Sequence, residues 1–255
     1  MLRPPMKSPL REALIVYAGV AAATFAITRL RAFPAAADYV HLLVAALFLV
    51  TAIRLAQREE NGLTRYGIAL SGLLGPTEEA DDGRPGGPLG IFELLRAIRS
   101  ALRPAAREAL AALGVIAAVF PVFAAAFYVW HRPDQPFAVD LRDDFLSFAA
   151  AQLIVVALPE EALFRGYFQT RLRDAWPAEI RILGVAVPWK AWLVQAALFA
   201  IIHFVVDLDP QRLAVFFPGL LFGWIRAWRG GMGAAMAVHA ASNVWSEILL
   251  SGWMP

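Results

Sequence analysis

Apolar residues fall along the chain in seven blocks, at about 12–28, 37–56, 109–129, 145–173, 188–206, 211–228 and 231–250. Each approaches the roughly 20 residues that a helix needs to cross a hydrocarbon core of about 30 Å. Within the blocks the apolar positions cover every helical face, so helices built from them must be covered all round by lipid or by one another. The expectation is an all-α membrane protein, a bundle of seven transmembrane helices in which residues 1–255 form one domain. An eighth is added if part of Gly62–Leu74 dips into the bilayer, although "GLTRYGIALSGLLG" is short and glycine-rich.

The one long polar stretch runs from 57 to 107, between the second and third spans. Its "TEEADDGRPGGP" reads as a cytoplasmic loop of turn-forming residues. Beyond it, Ile91, Leu94, Leu95, Ile98 and Leu102 recur at helical spacing opposite Arg96, Arg99 and Arg103. That pattern predicts a separate amphipathic helix lying on membrane lipids, with docking onto a partner protein as the rival reading.

Composition agrees: 59% of residues are hydrophobic, 17% are charged and mean hydropathy is +0.57. The pI of 9.2 need not mean a nucleic-acid partner, because basic residues gather beside spans for topological reasons. With the N-terminus inside, the inner segments hold three, eight, five and two Lys or Arg, eighteen in all. The outer segments hold Arg29, Arg31, Arg132, Arg142 and Arg212. This bias places the N-terminus in the cytoplasm and the C-terminus outside. The chain has no cysteine, which removes disulfides, thiolate metal ligands and a cysteine nucleophile.

Polar residues inside spans are costly and mark function by default. The fourth block carries Pro159, Glu160, Glu161 and Arg165. Pro159 is expected to kink the helix just before the acidic pair. Glu161 and Arg165, four apart on one face, are expected to pair and hold the helix geometry. Glu160 lies about 100° around the helix from Glu161 and is free to meet other spans. The fifth block holds His203 with Phe199 one turn before it, and the seventh holds His239 and Asn243 on one face. A glutamate and a histidine can polarise a water, while a second histidine and an amide can donate to a developing oxyanion. Glu160, His203, His239 and Asn243 are therefore the candidate catalytic residues, with Glu161, Arg165 and Phe199 in support.

The motifs "EEALFR" at 160–165, "FAIIH" at 199–203 and "HAASN" at 239–243 resemble, in order, the E-E-x-x-x-R, F-x-x-x-H and H-x-x-x-N patterns of the CAAX-protease and bacteriocin-processing membrane proteins. The resemblance covers about 145–250, the expected catalytic core. It implies a helical bundle of intramembrane endopeptidases, including myxosortase-like bacterial members, acting near the membrane surface on membrane-anchored or lipid-tailed proteins and peptides. Glu160 and His203 would activate water, and His239 and Asn243 would hold the oxyanion. No cofactor is expected under this glutamic mechanism. The alternative is a zinc site on Glu160, His203 and His239, although no H-E-x-x-H occurs. A bacterial inner membrane is the expected location. A non-catalytic immunity-type binder or a proton-coupled transporter is the competing class.

Overall fold

A computed structural model of the chain describes residues 8–69 and 91–254. Long helices stand at all seven apolar blocks: α1 Pro9–Arg29, α2 Val40–Ala56, α3 Ile91–His131, α4 Phe145–Ala175, α5 Trp189–Asp207, α6 Phe216–Arg229 and α7 Gly233–Trp253. Ser8 caps the first, its hydroxyl accepting from the Arg11 amide with Pro9 at the first helical position. Four regions, Pro9–Ala32, Leu102–His131, Phe145–Ala175 and Trp189–Asp207, are long and apolar enough to cross a membrane. Helix α2 is apolar but has 17 residues, and α6 has 14. The 21 residues of α7 are interrupted by His239, Ser242, Asn243, Ser246 and Glu247. Exposed Leu113, Val122, Val129, Leu146 and Phe217 line the outside of the helices, surface that water penalises and a bilayer accepts.

Three features differ from the sequence expectation. The amphipathic helix is not a separate element. Its backbone is continuous with the third span through 41 residues, with Pro104 and Pro121 inside the helix. Pro104 removes one hydrogen bond, but the Ala, Arg, Glu and Leu around it are strong helix formers that carry the ladder past it. The side chains of Ile91, Leu94, Leu95, Arg96 and Ile98 lie outside the described residues, while Arg99, Leu102 and Arg103 are exposed. Second, the segment after α2 does not start a span: Gly62–Arg65 makes one helical turn, and Tyr66 and Ile68 are then buried. Residues 70–90, including the expected loop, lie outside the described residues. Third, a small hairpin joins α4 to α5. Its strands β1 (Ile180–Ile182) and β2 (Val185–Val187) pair antiparallel about Leu183 and Gly184, both at positive φ, the twist that a two-residue hairpin turn requires.

Helix α4 is the axis of the bundle. Every residue from Glu161 to Leu172 is buried, because α1, α2, α5 and α7 all pack on it. One apolar cluster joins α1, α2, α4 and α5 through Ala13, Phe48, Phe164, Phe168, Phe199 and Ile202. A second joins α3, α6 and α7 through Ala112, Phe222, Ile225 and Val238. At one end of α4, Arg171 pairs with Glu12, Glu59 and Asp174, and Tyr66 donates to Glu59 at 2.8 Å. Burial and that hydrogen bond hold the Tyr66 hydroxyl well above its ordinary range, so it stays a donor.

The two clusters meet where α6 crosses α5. Gly219 and Gly223, four apart, let the backbones approach closely. Their carbonyls accept from Gln195 at 3.1 Å and Gln169 at 2.9 Å. A Cβ at Gly223 would lie 2.4 Å from Gln195 Nε2 and 2.8 Å from Trp192. Gly223→Leu is therefore expected to destabilise the fold by about 1–3 kcal/mol through overpacking. Gly114→Ala, where a Cβ meets nothing within 4 Å, should leave the unfolding midpoint in detergent unchanged or raised. Equal midpoints for Gly223→Leu and the unaltered protein would contradict this account of the crossing.

Candidate active site

Pro159 has no N–H to donate to the Val155 carbonyl, and the helix meets that interruption with wide turns instead of a simple kink. Gln152–Ala157 is π-helical, Leu158–Glu161 returns to α geometry, and Ala162–Phe168 is π-helical again. Such turns re-aim the side chains that follow them and cluster at functional sites. Here they bracket the acidic pair, whose own segment stays α-helical and keeps its two members about 100° apart.

Glu161 points inward, with no exposed surface on either it or Arg165. Its Oε1 lies 2.9 Å from Arg165 Nη1 and accepts a hydrogen bond from His239 Nδ1 at 2.9 Å. The Arg165 contact is a close ion pair whose angle is not that of a hydrogen bond. The guanidinium also lies over the ring of Phe199 at 4.1 Å and of Phe222 at 5.1 Å, with Nη2 donating to the Gly219 carbonyl at 3.4 Å. Arg165 is thus clasped between the two apolar clusters, its charge met by one carboxylate and two aromatic faces.

Glu160 turns toward α5 and α7. Its Oε2 lies 3.8 Å from His203 Nε2 and 3.7 Å from His239 Nε2, too far for direct hydrogen bonds and within the reach of one bridging water. Among the described residues this oxygen is buried without a hydrogen-bond partner. Both imidazoles are held from behind. His203 Nδ1 is 2.8 Å from the Phe199 carbonyl, which can only accept, and His239 Nδ1 faces the Glu161 carboxylate. Nδ1 therefore carries the proton in both rings and Nε2 of each faces Glu160. Phe199 packs edge-on against His203 at 4.5 Å and His239 at 5.9 Å, and Phe222 stacks on His239 at 4.7 Å.

Asn243 stands apart from this group. Its Nδ2 donates to Gln152 Oε1 at 2.9 Å, which places the amide one helical turn from His239, against the first π-helical turn of α4. Sequence reasoning missed Gln152 and Phe222. The first carried a signal, a lone amide in "AAAQLIVVAL", and the second none, being one apolar residue among many. A tetrahedral zinc site with bonds of about 2.0–2.1 Å brings its ligand atoms to within roughly 3.3 Å of each other. The two imidazoles stand wider than that from Glu160, and among the described residues no three His, Cys, Asp or Glu are gathered as a metal site. Breaking a buried ion pair costs about 3–5 kcal/mol, and replacing both members costs much less. Arg165→Met and Glu161→Gln should each lower the yield of folded protein sharply. The double replacement Glu161→Gln with Arg165→Met should recover part of it; strictly additive losses would show that the pair is not coupled.

The part of the chain that builds this seam also has relatives. Residues 142–245 match the family model described as type II CAAX prenyl endopeptidase Rce1-like. Comparison with curated proteins and with solved structures gave no match. The matched segment carries all of Gln152, Glu160, Glu161, Arg165, His203, Phe222, His239 and Asn243, and together with the apolar helices it makes the chain an integral membrane protein. Over that segment the chain is similar to the type II CAAX prenyl endopeptidase Rce1-like family.

Proposed function

We propose that this protein is an intramembrane endopeptidase that hydrolyses a peptide bond near the membrane surface in a membrane-anchored or lipid-tailed protein. All seven long helices would span, with the N-terminus on the cytoplasmic side, as the distribution of Lys and Arg favours. The observation that carries the reading is the buried, unpartnered Oε2 of Glu160 facing two imidazole nitrogens.

A water held between Glu160 and His203 gives a proton to the Glu160 carboxylate as its oxygen attacks the scissile carbonyl carbon. The carbonyl oxygen becomes an oxyanion. His239, protonated and backed by Glu161, donates to it from Nε2, and the second N–H of the Asn243 amide does the same. The C–N bond then breaks as Glu160 returns the proton to the leaving amine. Glu161, Arg165, Glu160 and protonated His239 sum to zero charge, which suits a site taken out of water. No metal is assigned to these steps.

General-base catalysis contributes roughly 10²–10⁴-fold. Glu160→Gln and His203→Ala should lower cleavage of a co-expressed tailed substrate by that order without changing protein level, and a strong chelator should leave the purified activity intact. Full cleavage by Glu160→Gln would sink the assigned base; loss on chelation with recovery on zinc would sink the metal-free route.

Asn243→Ala removes one oxyanion donor and should lower kcat by about 10²–10³. Gln152→Leu keeps Asn243 but frees its amide to rotate. It should lower kcat by roughly tenfold with KM unchanged, the pattern of a lost transition-state contact. A change in KM alone would mean that Gln152 serves substrate binding instead.

A further inference from the structure

At the end of the bundle where α4 and α6 finish, three arginines are matched to carboxylates. Arg171 meets Glu12, Glu59 and Asp174. Arg65 meets Glu59 and Asp174, and Arg229 donates twice to Glu108, at 3.1 and 2.7 Å. Arg226 and Arg173 have no carboxylate within ion-pair distance among the described residues.

Arg173 is exposed and solvated, but Arg226 is 6% exposed and its buried Nε has no hydrogen-bond partner among the described residues. The neighbouring charge that acts on it is the like charge of Arg173. A buried unpaired ion costs several kcal/mol, and a second cation beside it adds to that cost. The backbone is nevertheless shaped to admit this side chain. Gly67 adopts φ +70, and a Cβ there would lie 2.8 Å from Arg226 Nη2 and 2.9 Å from its Cζ. The Gly67 carbonyl in turn accepts from the Met232 amide at the start of α7. The guanidinium is therefore laid flat against a glycine turn, with no carboxylate claiming its fork among the described residues.

We infer that Arg226, with Arg173 beside it, binds a phosphate-type oxyanion at this end of the bundle. A guanidinium fork matches two phosphate oxygens at once, and two cations in one place suit phosphate better than a single carboxylate. The phosphate could belong to an anionic phospholipid headgroup or be free in solution. The site is separate from the Glu160 seam and does not depend on the proposed proteolysis.

The test is the thermal unfolding midpoint of the full chain in dodecyl maltoside micelles. One arm adds sodium phosphate against sodium chloride of equal ionic strength, and the other adds phosphatidylglycerol against no lipid. A ligand at about 100 times its Kd should raise the midpoint by roughly 5 °C. Arg226→Gln should abolish the rise and Arg173→Gln should reduce it. A rise with inorganic phosphate assigns free phosphate; a rise with phosphatidylglycerol alone assigns the headgroup. Arg226→Lys keeps the charge but cannot fork, so it should lose at least half of the rise and serves if Arg226→Gln does not fold. The inference is overturned if chloride matches phosphate and the lipid has no effect, if neither anion moves the unaltered protein, or if the variants respond as it does.

Discussion

The contact on which the rest of this structure depends is the ion pair of Glu161 and Arg165, closed off from solvent and capped by two phenyl rings. Neither residue has exposed surface, and a charge in such a place is stable only when several partners share it. Arg165 finds them in two different apolar clusters, Phe199 from one and Phe222 from the other. The pair therefore fixes how α4, α5 and α6 sit against each other as well as neutralising itself. It also decides the orientation of His239, because Glu161 accepts from Nδ1 of that ring. Architecture and chemistry are connected through one carboxylate oxygen.

Consecutive glutamates meet different surroundings because the α-helical segment that carries them turns by about 100° per residue. The π-helical turns before Leu158 and after Glu161 change the phase of everything that flanks them. Gln152 is thereby aimed at Asn243 of α7, while Glu160 faces the gap between α5 and α7. Proline is the evident origin of the first turn, since Pro159 leaves one backbone carbonyl without its donor. The second turn holds Arg165 and Gly166, and nothing in the sequence marks it.

What could be read from sequence was what a single helix determines. The Glu161–Arg165 pair and the spacing of Phe199 and His203 follow from the i,i+4 geometry of one helix, and all of them are present as contacts. The long helices were legible from their apolar blocks. Contacts between helices were not. Nothing local states that Asn243 would donate to a residue 91 positions earlier, or that Phe222 would stack on His239. The Glu108 carboxylate joins Arg229 to the Ala234 amide across more than a hundred residues, and no local pattern marks it. The continuous α3 was missed for another reason. A change from amphipathic to apolar pattern reads as two helices, yet local helix propensity on both sides of Pro104 outweighed one lost hydrogen bond.

Burial across the seam is graded, and the gradient bears on the order of events. His203 retains 22% of its side-chain exposure, Glu160 16% and His239 5%, while Glu161 has none. The group is therefore most exposed on the His203 side and closes toward Glu161. A base must exchange protons with water, so the more exposed pair of His203 and Glu160 is suited to the activating role proposed for it. An oxyanion donor must be held rigid and dry, because preorganised donors act most strongly where solvent is excluded. His239, stacked on Phe222 and bonded to Glu161, meets that requirement. The division of labour proposed for the two histidines follows their depth, with the charged pair at the bottom of the seam.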